Sequence, residues 1–159
     1  MRYQTHVVTT AVAGLTTAHI LDISLTAPLV IGAVIGSVFP DIDEPGSYIG
    51  RRSLGASRII NLLFGHRGLT HSLLPVALLV LLCFKFPIGI LMGFTFGYLF
   101  HIVGDLFSKS GVPLFLPFSQ KKTAIPIYTT GGIIEHVIFV LFTIYLLQLL
   151  HVFDITKLF

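Results

Sequence analysis

Apolar residues in this chain come in long runs separated by polar loops. They do not show the period-2 alternation of a half-buried strand. Five runs stand out: Thr5 to Leu21, Leu25 to Phe39, Ser72 to Phe84, Pro87 to Phe107 and Ile133 to Leu150. Runs apolar on every side predict helices in an apolar solvent, and helices are the elements that satisfy their own backbone in lipid. Several are shorter than the ~20 residues a bilayer requires, so local thinning or partial insertion has to be assumed for them. The pattern predicts an all-α fold: a polytopic integral membrane helical bundle of about five spans, in one domain over residues 1–159. The first run, broken by Thr and His and followed closely by a second, reads as a retained span and not as a cleaved signal.

Composition supports a membrane. Hydrophobic residues make up 54% of the 159 and charged residues 11%, against about 25% charged in an ordinary soluble domain. A soluble domain this small has too little interior to hide so much apolar surface. The single cysteine, Cys83, lies inside an apolar run and reads as a small core residue.

Charge then suggests an orientation. Alternate ends of five spans put the N-terminus, the loop from Asp41 to His71 and the loop from Ser108 to Gly132 on one side. That side carries Arg2, Arg51, Arg52, Arg58, Arg67, Lys109, Lys121 and Lys122, whereas the other carries Lys85 and Lys157. By the positive-inside bias the N-terminus is expected in the cytoplasm and the C-terminus outside. Ser53 to Phe64, apolar and basic together, reads as an interfacial segment, as does Val112 to Phe118.

Chemistry-bearing residues gather at the same expected face. His6 opens the first run; Asp41, Asp43 and Glu44 follow the second; His66 and His71 precede the third. His101 and Asp105 end the fourth, and Glu135 and His136 open the last. His101 and Asp105 are four apart and share a helix face. Asp41-Ile42-Asp43 follows a helix stop, where a turn can aim carboxylates inward. His66-Arg67-Gly68-Leu69-Thr70-His71 sets two imidazoles in a glycine-containing turn. Imidazole plus carboxylate suits a divalent metal: zinc first, with manganese or iron as alternatives, and two or three ions given this many donors. Singly, each has a plainer reading, as an interface histidine or a turn-forming aspartate; together, on one face, they favour metal. His19, Asp22, His151 and Asp154 sit at the other face and read as interface anchors. The basic residues are explained by topology alone, but Arg67, Arg51, Arg52, Lys121 and Lys122 lie close to the ligand loops and suit an anionic group.

These motifs resemble the YdjM-like family of membrane-bound metal-dependent hydrolases, described as LexA-regulated inner-membrane proteins. The matching pieces are His6, the turn Pro40 to Pro45, HRGLTHS at His66 to Ser72, His101 to Asp105 and the segment Gly131 to Glu135. The resemblance implies a helical hydrolase of the bacterial inner membrane, distantly similar to zinc-dependent phospholipase C and P1-type nucleases. It implies metal roles for His6, Asp41, Asp43, His66, His71, His101 and Asp105.

The expected function is hydrolysis of a phosphoester of a membrane lipid, which serves as both solvent and substrate, at the cytoplasmic interface. Glu135, Asp43 or Glu44 would act as general base or further ligand. Arg67, or Arg51 and Arg52 with Lys121 and Lys122 nearby, would hold the anionic group. The alternative is a metal-handling protein or transporter without hydrolysis, although a transport site belongs nearer the bilayer midplane. A non-catalytic scaffold would leave HRGLTHS unexplained. Nucleic acid is not an expected partner, the basic residues being few, and oligomeric state is open.

Overall fold

The computed structural model describes residues 1–65 and 67–152. Among the described residues six α-helices follow one another: α1 (Tyr3–Leu21), α2 (Ala27–Gly36), α3 (Ala56–Phe64), α4 (Leu73–Lys85), α5 (Gly89–Leu106) and α6 (Ile133–Val152). Three short 3-10 turns, Phe39–Asp43, Gly50–Arg52 and Leu69–His71, lie between them. Among the described residues there is no strand; isolated bridges join Ser108 to Tyr128 and Val112 to Thr123 within the α5–α6 loop.

The helices lie where the apolar runs predict them, but they are not five spans. Among the described residues two helices are long and apolar enough to cross a membrane, Gly89–Leu106 and Ile133–His151. The α2 helix has 10 residues and α4 has 13, well short of the ~20 that the hydrocarbon thickness demands. The α1 helix has 19 residues, but Thr5, Thr9, Thr10, Thr16, Thr17 and two histidines dilute its apolar character. The expected bundle of about five spans is therefore corrected to an all-helical fold with two membrane-length helices. The N-in, C-out assignment counted alternate ends of five spans and loses its premise. Lys157, part of that count, and Asp154, read as an interface anchor, lie outside the described residues.

Local sequence explains the breaks. Asp22 takes a left-handed φ of 51° and ends α1. Pro28 sits in the first turn of α2, where its missing N–H is harmless. Pro40 opens the 3-10 turn that follows α2. The Ser72 hydroxyl accepts from Leu74 N at 3.3 Å and caps α4.

The α5 helix is the centre of the molecule, with α2, α1 and α4 packed around it and α6 against α1. The α2–α5 contact is the closest. Gly32 and Gly36 of α2 meet Gly93 and Gly97 of α5, and a Cβ at any of the four would stand 1.9–2.1 Å from a carbonyl oxygen of the other helix. Small residues four apart on both helices let the backbones touch, a contact that apolar side chains would hold apart. Apolar packing is modest: Val76, Tyr98, Ile102 and Val112 form a cluster with Phe39 and Phe94 beside it. The fully buried side chains include many polar ones, His6, Asp43, His71, His101, Asp105 and Glu135 among them.

Candidate metal centre

Burying charged and imidazole groups is unfavourable unless each finds partners, so the question is what each one faces. Four of them converge. Asp41, His71, His101 and Asp105 each present a donor atom, and the four atoms lie within 4.8 Å of one another. His101 Nε2 is 3.3 Å from His71 Nε2 and 3.6 Å from Asp41 Oδ1. His71 Nε2 is 3.7 Å from Asp41 Oδ1 and from Asp105 Oδ2. Tetrahedral ligands 2.0–2.1 Å from a zinc ion stand roughly 3.3–3.4 Å from each other. These four separations are therefore within a few tenths of an ångström of those in a coordination shell, and the remaining donor pairs lie within 4.8 Å.

Both imidazoles are oriented from behind. His101 Nδ1 lies 2.7 Å from the Ser37 carbonyl oxygen and donates to it, because the glycine contact brings the end of α2 against α5. His71 Nδ1 lies 3.0 Å from Asp43 Oδ2, and the Thr70 hydroxyl donates to the same carboxylate. With each Nδ1–H committed outward, each Nε2 turns its lone pair to the common point. Two such lone pairs 3.3 Å apart repel unless a proton or a cation lies between them. In the metal-free protein that is a proton: burial works against the charge on His71, but Asp41 and Asp43 outweigh it and raise its pKa to about 9. Asp41 is the counterpart. Burial opposes its charge, yet the imidazoles of His101 and His71 beside it hold it down to about 2.

The remaining expected ligands are placed around this shell. His6, fully buried on α1, stacks on His101 with ring centroids 3.7 Å apart. Its Nε2 is 3.4 Å from Asp105 Oδ1, and neither ring nitrogen has a hydrogen-bond partner. Burial lowers its pKa, so the ring is neutral and keeps a lone pair. Asp43 stands on the far side of His71. Positions two apart in a 3-10 turn point about 240° from each other, so Asp41 and Asp43 do not face one point. His66 lies outside the described residues.

Asp105 is balanced by cations. Its Oδ2 pairs with Arg67 Nη2 at 2.7 Å, and its Oδ1 with the Met1 amine. Arg67 is itself buried and donates to Ser108 Oγ at 3.0 Å and Gly111 O at 3.3 Å. These anchors hold it at φ 53°, a region that costs a residue other than glycine.

Glu135 serves another purpose at the start of α6. Its oxygens accept from Arg2 N and Gly131 N at 2.5 Å each, tying α6 to the start of α1. Glu44 Oε1 accepts from Gly46 N at 3.0 Å. Arg51 and Arg52 are exposed; Arg52 donates to Tyr48 O and lies over the Tyr48 ring. Lys121 and Lys122 are exposed as well. Sequence reasoning did not single out Ser37 or Thr70. Ser37 acts through its carbonyl, which no side-chain type announces. Thr70 sits inside the HRGLTHS motif and was legible there.

A family model described as the YdjM inner membrane protein matches residues 1–156. The chain is 44% identical over 96 residues to the Inner membrane protein YdjM of Escherichia coli (strain K12), covering 56% of this chain and 49% of that one. The same figures hold for the Inner membrane protein YdjM of Shigella flexneri. It is 30% identical over 100 residues to the Uncharacterized protein YvsG of Bacillus subtilis (strain 168), covering 62% of each. The chain thus spans about half the length of the curated YdjM relatives it matches. No solved structure matches it.

Proposed function

The chain belongs to the YdjM inner membrane protein family, and on that premise we propose that it is an inner-membrane, divalent-metal-dependent hydrolase that cleaves a phosphoester of a membrane lipid. The observation that carries the proposal is the donor cluster: two Nε2 atoms and two carboxylates within 4.8 Å of one another, four of the separations 3.3–3.7 Å, each imidazole locked from behind. Asp41, His71, His101 and Asp105 would hold the cation, with His6 the nearest further donor. The residues fit such a group, since two facing lone pairs and two carboxylates satisfy one another best around a positive charge. Zinc is favoured by the imidazole–carboxylate set, with manganese and iron as alternatives.

When bound, such a cation supplies Lewis acidity, polarising a phosphoryl oxygen and acidifying water. The chain's own residues set the stage for it. Asp43 and the Ser37 carbonyl fix the two rings, and Arg67 neutralises Asp105 so that the site does not carry excess negative charge towards an anionic substrate. The site lies in the last turns of α5. With α5 long enough to span, a membrane-crossing α5 would put its end at a membrane surface, where lipid phosphates are. That position also argues against the transport reading, which needs a site near mid-span.

Purified full chain, presented with phospholipids and phosphatidic acid in nanodiscs, should release a phosphorylated headgroup or phosphate. Chelator should abolish the release and His101→Ala should lack it. Activity that survives complete metal removal would overturn the metal-dependent reading. Bound metal without turnover on any lipid would leave the metal-handling alternative in its place.

A further inference from the structure

A second feature of the chain lies at the same end of α5 and is not part of the metal shell. In α3, Ile59, Leu62 and Leu63 fall three and four apart and share one face. They are 63%, 85% and 67% exposed, and Leu54, just before the helix, is fully exposed. The opposite face is bound to the protein. Ser57 is buried, and the Asn61 side-chain amide donates to the Asp43 carbonyl at 2.7 Å. The residues from 51 to 64 contain Arg51, Arg52 and Arg58 and no acid. Among the described residues none of the three arginines is paired with a carboxylate.

Large aliphatic side chains gathered on one face of a helix call for a cover. Location and charge together choose it. Asn61 ties α3 to Asp43, and Asp43 holds His71, which packs on His101 near the end of α5. A helix fixed to the end of a membrane-length helix stands at the bilayer surface. There, an apolar face flanked by unpaired arginines matches the acyl–headgroup boundary of an anionic leaflet.

We propose that α3 lies in the plane of the membrane as a foot, its Leu54, Ile59, Leu62 and Leu63 sunk below anionic headgroups that Arg51, Arg52 and Arg58 contact. Through Asn61 the foot holds the Asp43 main chain, and so the rim of the metal centre, at headgroup depth. The proposal does not depend on hydrolysis, nor on a metal being bound.

The test uses full chain carrying Cys83→Ala and Leu62→Cys, labelled with an environment-sensitive fluorophore in nanodiscs. Ile59→Cys serves as a second position should the first perturb folding. In discs containing phosphatidylglycerol the emission should shift to the blue and be quenched by lipids spin-labelled near the headgroup. Quenching should weaken in phosphatidylcholine alone, at high salt, and in the Arg51→Gln/Arg52→Gln/Arg58→Gln variant. Water-like, unquenched emission in both kinds of disc would overturn the proposal. So would energy transfer between labelled copies with no dependence on lipid charge, which would assign this face to a second copy of the chain.

Discussion

His71 is held by two kinds of contact, one on each ring nitrogen, and they respond to substitution differently. On the outer side Asp43 orients the ring and favours its charged form without facing the shared donor point, so Asp43→Asn should leave a weakened site. Loss of such an outer partner typically reduces metal affinity about 10–100-fold, measurable by competition with a chelating dye. Protons compete at the inner side. The pKa of His71 is raised from 6.5 to about 9, so its stabilisation of the metal-free fold is complete below pH 6.5 and is lost as pH rises through about 9. Asp41 is lowered from 3.8 to about 2, so its contribution is present above pH 3.8 and is lost as pH falls through about 2. Thermal unfolding in chelator should therefore show a fall on the alkaline side that His71→Gln lacks. A metal entering at neutral pH must displace the His71 proton, and calorimetry in buffers of different ionisation enthalpy should register its release. Binding that takes place with no proton exchange would contradict this arrangement. Arg67 tests burial itself. Arg67→Met leaves Asp105 buried without its guanidinium partner, a change that costs about 3–5 kcal/mol when a buried pair loses a partner; denaturation of the metal-free protein measures it.

At the scale of elements, the α2–α5 contact links packing to chemistry. The four glycines bring α2 so close that the Ser37 carbonyl reaches His101 Nδ1. Gly97→Ala would put a Cβ 2.1 Å from Ala33 O, forcing the helices apart. Overpacking of this kind costs about 1–3 kcal/mol, and here it should also lower metal affinity, because Ser37 is carried away with α2. Gly14→Ala, whose Cβ would meet Phe96 at an ordinary 3.6 Å, should change neither. Equal effects of the two substitutions on metal affinity would break the link. The positions of α1, α2, α4, α5 and α6 were legible in the chain because apolar runs and their Pro, Gly and Asp stops are local properties. The glycine contact was not. Gly32, Gly36, Gly93 and Gly97 are visible as spacings, but which two helices they join depends on tertiary arrangement.

For the whole molecule, the same distinction separates what could be read from what could not. The gathering of His6, Asp41, His71, His101 and Asp105 at one end followed from their places at helix ends. Which of them share a point did not, because the 3-10 geometry that turns Asp43 behind His71 leaves no mark in composition. The span count failed for a related reason. An apolar run marks a helix but not its length, and α2 with 10 residues and α4 with 13 are too short to cross. The arrangement that results is two membrane-length helices, with shorter helices gathered around one of them and a polar centre at its end. The most direct test is elemental analysis of the purified full chain, grown with zinc, manganese and iron available. The account predicts bound divalent metal in the native chain, lost in His101→Ala and retained in Lys121→Ala. A native chain holding no more metal than His101→Ala would contradict the account.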